Sequence, residues 1–425
     1  MLRAMKYLLA VVALLSLTFP ARAQKVDFEV GAPGVVAVGE AFRIEFTVNA
    51  KPDGFTPPAF GGFDVLAGPT TSEGTSVSIV NGHVSKTVSF TYTYVLQAQN
   101  EGLATISAAS VQVEGKTYST QPLTIEVVSG EAMPGQGGAS AGGVDKKADA
   151  EARSGKLAPD DILLRVTVNR NNVYKGQPVR VAFKLYTRVQ LSGIESVKYP
   201  AFNGFWAQEL NVDGYSWQRE TLNGKVYDAR VVKEVLLYPQ QSGTLHIEQS
   251  SMTVVAQIVV QSRSHSQSLF DDFFGGQSVQ EVRKNLSAAP VPVTVRDFPA
   301  GAPASFNGAV GKFQLNGSLD KQTVTANASD TYLLKLSGSG NLPLIQAPKP
   351  ELPASFESYG NGKSTESLSH NASGISGYKQ FEFPFIPRAE GNYSIPPVEF
   401  SYFDPDAAKY VTLTTPPFGV EVLPD

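Results

Sequence analysis

The fold is decided by a stretch that reads Val38-Gly39-Glu40-Ala41-Phe42-Arg43-Ile44-Glu45-Phe46. Every second residue from Phe42 to Val48 is apolar and the residues between them are polar, as a half-buried antiparallel β-strand requires. The pattern returns at 175–183 as Lys-Gly-Gln-Pro-Val-Arg-Val-Ala-Phe, and more weakly at 329–336. A repeat this long indicates tandem domains, each with its own core.

Two further anchors give the period of the repeat. Phe60-Gly61-Gly62-Phe63 returns as Phe202-Asn203-Gly204-Phe205, and the hairpin signal Asn81-Gly82 returns as Asn223-Gly224, both with a shift of 142 residues (202 − 60 and 223 − 81). The second copy is the longest of the three. Its extra residues lie in the Gln/Ser-rich stretch 261–287, which predicts a loop insertion.

These patterns predict an all-β chain of three tandem antiparallel β-sandwich domains, immunoglobulin-like or fibronectin-III-like, at 24–128, 159–298 and 304–425. The strand order of a sandwich cannot be read from the alternation. With no cysteine in the chain, each core rests on apolar packing, which a domain of this size can provide. The Gly/Ala/charged stretch 129–158 predicts a flexible linker. The short, Pro-rich passage 298–306 predicts that domains two and three are held more nearly in line.

The N-terminus predicts export. Arg3 and Lys6 precede an apolar run from Tyr7 to Leu17, and Ala21-Arg22-Ala23 supplies a cleavage site, so residues 1–23 are predicted to be a signal peptide cut after Ala23. The alternative is an N-terminal membrane anchor, but the run is shorter than the roughly 20 residues that span a bilayer. We expect the protein in the periplasm or cell envelope.

Charge and hydropathy narrow the function class. The chain has 35 basic and 39 acidic side chains, a formal net charge of −4 and a mean hydropathy of −0.10. Loss of the basic signal peptide makes the balance more acidic. This is not the balance of a nucleic-acid-binding protein.

Catalytic and metal-binding patterns are weak. The four histidines are His83, His246, His265 and His370. None lies in a recognisable motif, so neither an enzyme nor a cofactor is predicted; a hydrolase whose Ser, His and Asp meet only in space stays open. Asp404-Pro405-Asp406 is predicted to be a turn and not a cation site. Trp206 and Trp217 are predicted to pack and not to stack on sugars.

The insertion in domain two carries the candidate partner-binding residues. These are Leu269, Phe270, Asp271, Asp272, Phe273 and Phe274. Aromatic side chains beside carboxylates in a Ser/Gln/Gly surround are typical of a segment that orders when it binds a partner. Two other interpretations stay open: the phenylalanines fold back onto domain two, or the segment is a tolerated disordered insertion.

Five features in this order resemble one known family. They are the signal peptide, an Ig-like domain that opens with the turn Val36-Ala-Val-Gly-Glu40, Tyr199-Pro-Ala-Phe-Asn-Gly-Phe-Trp206, Phe270-Asp-Asp-Phe-Phe-Gly275 and Ile395-Pro-Pro-Val-Glu-Phe-Ser-Tyr-Phe-Asp-Pro405. The mature chain resembles the ectodomain part of the BatD (oxygen tolerance, or Bacteroides aerotolerance) family. The resemblance implies a cell-envelope protein encoded with a MoxR-type ATPase, von Willebrand A-domain proteins and tetratricopeptide proteins, with a proposed role in aerotolerance or envelope stress. It supplies no catalytic residues.

Family members usually continue into a transmembrane helix, whereas this sequence stops at Asp425. Either the sequence is a fragment or this member is released, and membrane association is expected only if an apolar helix follows Asp425. The sequence thus predicts a non-enzymatic envelope scaffold that binds the A-domain and tetratricopeptide proteins. The competing class is a surface adhesin or glycan-binding rod of Ig-like domains.

Overall fold

The computed structural model describes residues 26–80, 83–130, 157–261, 277–359 and 363–425, with only the backbone described at 76–80, 83–87, 259–261 and 277–278. The predicted signal peptide, residues 131–156 of the predicted linker and the candidate segment Leu269–Phe274 lie outside the described residues. Those three interpretations therefore stay predictions.

The described residues form β-strands joined by turns. Their one regular helical element is a 3₁₀ turn at Leu342–Leu344. The strand that opens the first repeat alternates as its sequence requires: in Ala41–Val48 every second side chain, from Phe42 to Val48, is buried. The all-β prediction is confirmed.

The chain divides into two compact units. Among the described residues, the first contains 26–130 together with Arg219–Val226, and the second contains 157–218 and Tyr227–Asp425. The second and third sandwiches thus belong largely to one unit. The first unit includes a short hairpin tip that the sequence places in the second repeat.

The first sandwich has ten strands. They are β1 (Phe28–Gly31), β2 (Val35–Ala37), β3 (Ala41–Val48), β4 (Gly54–Thr56), β5 (Phe63–Val80), β6 (His83–Ala98), β7 (Gly102–Ile106), β8 (Ser110–Val113), β9 (Lys116–Ser119) and β10 (Leu123–Val128). Three sheets form, in the orders β1-β3-β6-β5, β2-β10-β7 and β4-β8-β9. Their inner faces meet in one core that includes Phe42, Ile44, Phe46, Leu96 and Ile125.

The second sandwich repeats this topology with eleven strands. They are β11 (Ile162–Val168), β12 (Asn172–Tyr174), β13 (Val179–Thr187), β14 (Leu191–Lys198), β15 (Phe205–Leu210), β16 (Gln218–Leu222), β17 (Lys225–Pro239), β18 (Gly243–Ile247), β19 (Ser250–Gln261), β20 (Gln277–Ala288) and β21 (Val291–Arg296). The sheets are β11-β13-β17-β15, with β16 also paired to β17, then β12-β21-β18 and β14-β19-β20. The second repeat is therefore a true copy of the first.

The third sandwich departs from this plan. Its strands are β22 (Phe306–Leu319), β23 (Thr323–Thr325), β24 (Asp330–Gly340), β25 (Phe356–Ser358), β26 (Lys363–Asn371), β27 (Gly374–Pro387), β28 (Gly391–Ile395), β29 (Glu399–Asp404), β30 (Lys409–Thr414) and β31 (Phe418–Leu423). Strand β22 pairs in parallel with β29, so two sheets merge into one with the order β25-β27-β24-β22-β29-β30. The other sheet is β23-β31-β28.

In all three sandwiches the last strand pairs in parallel with a strand near the start. The register places Val35 opposite Glu126, Asn172 opposite Thr294, and Thr323 opposite Glu421. On its other edge, the last strand of each sandwich pairs antiparallel with β7, β18 or β28. Each sandwich is thus closed by pairing between its two ends.

The stretch 261–287 is not a loop throughout. Strand β20 occupies Gln277–Ala288 and pairs along its whole length with β19, from Ser250 opposite Ala288 to Gln261 opposite Gln277. The composition is polar because one face of this hairpin carries the hydrophilic residues. The part without a described strand shortens to 262–276.

Candidate interaction surfaces

The described residues hold no group of three His, Asp or Glu side chains close enough to bind a metal ion. His246 and His370 are exposed strand residues, and the side chains of His83 and His265 fall outside the description. At the turn 404–406 the Asp404 carboxylate accepts the backbone N–H of Asp406 at 2.9 Å. Within the described ranges, no helix has the length and apolar character needed to cross a membrane.

The hairpin β19–β20 grows out of the core of the second sandwich. Its base is buried: Met252, Val254 and Ala256 of β19 pack with Leu286 and Ala288 of β20 against β11 and β13. Apolar residues on the inner face of both strands fix the register, since a shift by one residue would expose this whole row. The hairpin therefore leaves the sandwich in a defined direction.

The outer face of the sheet β14-β19-β20 is polar and cross-linked. Arg283 Nε lies 2.7 Å from Glu195 Oε1, and Ser192 Oγ donates to Glu281 Oε1 at 2.7 Å. Gln257 Nε2 in turn donates to Ser192 Oγ at 3.0 Å. Contacts between exposed groups contribute little stability individually. The polar residues that make these contacts are the reason why the sequence of this segment predicted a loop.

Lys284 fastens β20 to the start of the second sandwich. Its Nζ donates to the carbonyl oxygens of Ala158 and Pro159, both at 2.8 Å. Burial lowers the pKa of the Lys284 ammonium, while the nearby Asp161 and Asp160 act in the opposite direction. The base of the hairpin is thus held on both its edges, by β14 on one side and by this contact on the other.

An ion pair between a buried carboxylate and a partly exposed arginine anchors the loop between β15 and β16. Glu234 is 1% exposed, pairs with Arg180 and accepts the Tyr215 hydroxyl at 2.9 Å. The hydrogen bond to Glu234 is the main reason why the pKa of Tyr215 is raised. The same loop carries Trp217, which is 42% exposed. The signal in the sequence that could have indicated this cluster is a carboxylate inside the largely apolar run 231–238.

Trp206 belongs to a cluster that joins the second and third sandwiches. Its ring lies 5.7 Å from that of Tyr238, edge to face, and Tyr238 packs with Leu236 and Ile375. The Tyr238 hydroxyl accepts the N–H of Ile375 at 3.3 Å and donates to the Gly340 carbonyl at 3.4 Å. Burial raises the pKa of Tyr238 to about 12, with the Ile375 N–H acting in the opposite direction.

A second contact of this joint involves the turn after β12. A Cβ added to Gly176 would lie 2.8 Å from Val310 Cγ2, and the backbone there has φ +75°, so a side chain is excluded on both counts. The neighbouring Asn341 side chain accepts the N–H of Val310 at 2.8 Å and donates to the carbonyl of Gly308 at 2.9 Å. Sequence reasoning missed both contacts, because each brings together residues that are far apart in the chain.

The candidate segment Leu269–Phe274 lies in the connection 262–276 and outside the described residues. What the structure gives is its two ends, Gln261 and Gln277, which pair as the last rung of β19–β20. The partner-binding role of the six candidate residues therefore stays a prediction.

Comparison with known proteins gives one family. The family model described as "BatD DUF11 like domain" matches residues 30–127 and 317–422, which correspond to the first and third sandwiches. No curated protein matches the chain. This domain type is associated with the cell envelope.

Two solved structures resemble the chain weakly. The adhesin InvE of Yersinia pseudotuberculosis is 14% identical, with 61% of this chain and 58% of that chain covered, at a TM-score of 0.13. The type II cohesin dyad from the adaptor ScaA scaffoldin of Acetivibrio cellulolyticus is 10% identical, with 63% and 98% covered, at a TM-score of 0.15. The chain thus spans 58% of the length of the adhesin, and at TM-scores this low neither structure supports a function for this chain.

The family match falls on two of three sandwiches whose repeat, strand order and closing strands are described above. The first and third sandwiches are thus BatD-type domains, and the chain is similar to the envelope-associated β-proteins of the BatD family.

Proposed function

We propose that this protein is a non-enzymatic scaffold of the cell envelope that binds partner proteins through the end of hairpin β19–β20. The proposed partners are the von Willebrand A-domain and tetratricopeptide proteins of the same gene cluster, with a role in oxidative or envelope stress tolerance. Export by cleavage after Ala23 is part of the proposal.

One observation carries the proposal: the hairpin is far longer than its counterpart in the first sandwich. Strands β19 and β20 have 12 residues each, whereas the equivalent β8 and β9 have 4 each. Strand β14 pairs with β19 only as far as Ala256, so the rungs beyond it form a two-stranded extension. A lone two-stranded hairpin is marginally stable in water, and its anchored base gives it support.

The composition of the connection fits this role. Within the connection between β19 and β20, the sequence 269–274 contains Leu and three Phe beside two Asp. Large aromatic side chains dominate the free energy of binding at protein interfaces, usually through a few residues. A segment of this kind supports affinity for a protein surface with an apolar pocket and a basic rim, because the two carboxylates complement positive charge.

The experiment removes the connection and spares the hairpin. Because Gln261 pairs with Gln277, residues 262–276 can be replaced by Asn-Gly, which closes a two-residue hairpin without changing the register. Binding of the purified A-domain and tetratricopeptide proteins to the immobilised chain is then measured. We expect affinity to fall at least tenfold, which corresponds to about 1.4 kcal/mol.

A second variant keeps the length of the segment. Leu269, Phe270, Phe273 and Phe274 are changed together to Ser, and the matched control changes Ser264, Ser266 and Ser268 to Ala. The first variant should bind at least tenfold more weakly and the control should bind like the unchanged chain. If the Asn-Gly replacement and the fourfold Ser variant both retain full affinity for every partner, the hairpin end is not the binding site.

The adhesin or glycan-binding class has its own signature. It predicts that intact cells expose the chain to added protease, and that the purified chain binds host matrix or polysaccharide. That result, together with unchanged binding in the hairpin variants, would replace the scaffold proposal.

A further inference from the structure

Each sandwich also contains another hairpin at an equivalent place in its fold, and we call these the first, second and third hairpins after their sandwiches. The hairpins are β5–β6, β16–β17 and β26–β27, and in each the returning strand also pairs with the strand that opens the repeat, β3, β13 or β24. In the second hairpin the turn residues Asn223 and Gly224 have φ values of 51° and 74°, as a two-residue hairpin turn requires. The three hairpins can therefore be compared position by position from their turns.

The third hairpin docks on the second sandwich. Ile375, the second residue after its turn, is fully buried against Leu236 and Tyr238. Leu368, on the strand that enters the turn, packs on the same cluster beside Trp206. The receiving surface is thus the outer face of a β-sandwich sheet, lined by aromatic side chains.

The tip of the second hairpin, Arg219–Val226, belongs to the first compact unit. Val226, which is equivalent to Ile375, is 0% exposed. Arg219, which is equivalent to Leu368, places Nη1 2.6 Å from Glu40 Oε1. In this instance an ion pair takes the place of the apolar contact.

At the two docking positions, the sequence of the first hairpin resembles that of the third hairpin and not that of the second. Counting from its turn, Val77 stands where Leu368 does and Val84 stands where Ile375 does. Both positions are apolar, as in the hairpin that meets aromatic side chains, and neither carries the arginine that meets Glu40.

The first hairpin also projects furthest. The last rung between β3 and β6 is Val48 opposite Phe90, so residues 83–89 of β6 have no partner on that side. The corresponding residues are only 225–227 in the second hairpin and 374–375 in the third. Among the strands that the structure describes, none pairs with the outer edge of β5.

We propose that the projecting part of β5–β6 docks on a β-sandwich domain of another protein, on a sheet face lined by Trp or Tyr side chains. The precedent lies in this chain, where a hairpin with apolar residues at the same two positions is buried on such a face. This site is separate from residues 262–276 and goes beyond the function proposed for them.

A second copy of the chain fits less well as the occupant. Phe205 lies opposite Pro239 in the second sandwich, and Phe356 lies opposite Pro387 in the third. The third-sandwich equivalents of Trp206 and Tyr238 are therefore Glu357 and Ile386, and Glu357 pairs with Arg388. That surface offers an exposed ion pair where the docked hairpin finds aromatic rings.

The test uses the full chain with a photo-crosslinking amino acid, p-benzoylphenylalanine, in the host envelope. The probe is placed at Val77 or Val84. The matched controls are Ser78 and Ser85, which lie opposite each other on the rung between those of Val77 and Val84. We expect about tenfold more cross-linked product from the first two positions. The cross-linked peptides should come from a β-strand of a sandwich domain and include or flank a Trp or Tyr.

Three results would overturn the proposal: equal yields at all four positions, cross-links to lipid or to a protein without such a domain, or cross-links to a second copy. Sedimentation of the purified chain checks the last of these, since self-association abolished by Val84→Asp would identify the occupant as a copy of this chain. The chain that lacks 262–276 should cross-link as the unchanged chain does, and this separates the present site from the hairpin β19–β20.

Discussion

Replacing Tyr238 by Phe is expected to loosen the joint between the second and third sandwiches without unfolding either. The substitution keeps the ring that packs against Trp206, Leu236 and Ile375 and removes only the hydroxyl. That hydroxyl accepts the Ile375 N–H and donates to the Gly340 carbonyl. Its loss leaves the N–H of a fully buried residue without this acceptor.

The magnitude follows from the geometry. A buried donor left unsatisfied costs about 1–3 kcal/mol. The two contacts measure 3.3 and 3.4 Å, which is longer than the usual range for such hydrogen bonds, so we expect no more than about 1 kcal/mol. Ile375→Ala removes buried apolar atoms from the same cluster and is expected to cost about 2–5 kcal/mol.

Scanning calorimetry of the whole chain measures the effect. We expect the second and third sandwiches to unfold in one transition that Tyr238→Phe lowers by about 2–4 °C. Ile375→Ala should split this transition in two. Tyr332→Phe is the matched control, because Tyr332 is also fully buried but its hydroxyl lies 3.4 Å from the Thr415 hydroxyl within the third sandwich.

A double-mutant cycle decides the interpretation. Because Tyr238 and Ile375 are in contact, the effects of the two substitutions should not be additive, with a coupling of at least about 0.5 kcal/mol. Additive effects, or a transition that neither substitution moves, would show that the cluster does not couple the two sandwiches.

Two predictions concern ionisation. Burial raises the pKa of Tyr238 to about 12 from the usual tyrosine value of 10.0, so the stability that its neutral form gives is complete below the lower value and is lost as the pH rises through the higher one. Unfolding curves of the unchanged chain and Tyr238→Phe should therefore converge over that interval, and parallel curves would contradict this. Burial is also the main cause that raises the pKa of Asp330, whose Oδ2 is buried without a hydrogen-bond partner. Its stabilising contribution is full at acid pH and is lost as the pH rises through the raised pKa, so Asp330→Asn should gain stability relative to the unchanged chain between about pH 4 and about pH 8. Equal differences in melting temperature at both ends would refute it.

Local patterns in the sequence predicted the parts of the fold that depend on nearest neighbours. Strict alternation located the opening strand of the first repeat, and Asn223-Gly224 located a hairpin turn whose φ values are positive as expected. The strand β20 was missed because it needs few apolar residues: Leu286 and Ala288 face the core, and the outer face is polar. A Gln/Ser-rich composition cannot separate such a strand from a loop.

Contacts between distant residues were beyond sequence reasoning. Trp206 was correctly predicted to pack, but its partners in the third sandwich could not be named. Trp217, for which packing was also predicted, is substantially exposed on a loop anchored by Tyr215 and Glu234. The candidate residues 269–274 stay a prediction, since the structure describes only the two strands that lead to them.

The parallel closing pairs have a consequence for how the protein folds. Strand β2 cannot pair until β10 exists, and the same holds for β12 with β21 and β23 with β31. No sandwich can therefore complete its sheets until its last residues have left the ribosome. Such distant pairing slows folding, so each newly made repeat passes through a period in which its apolar strands are available to chaperones, or to the strands of the repeat that follows.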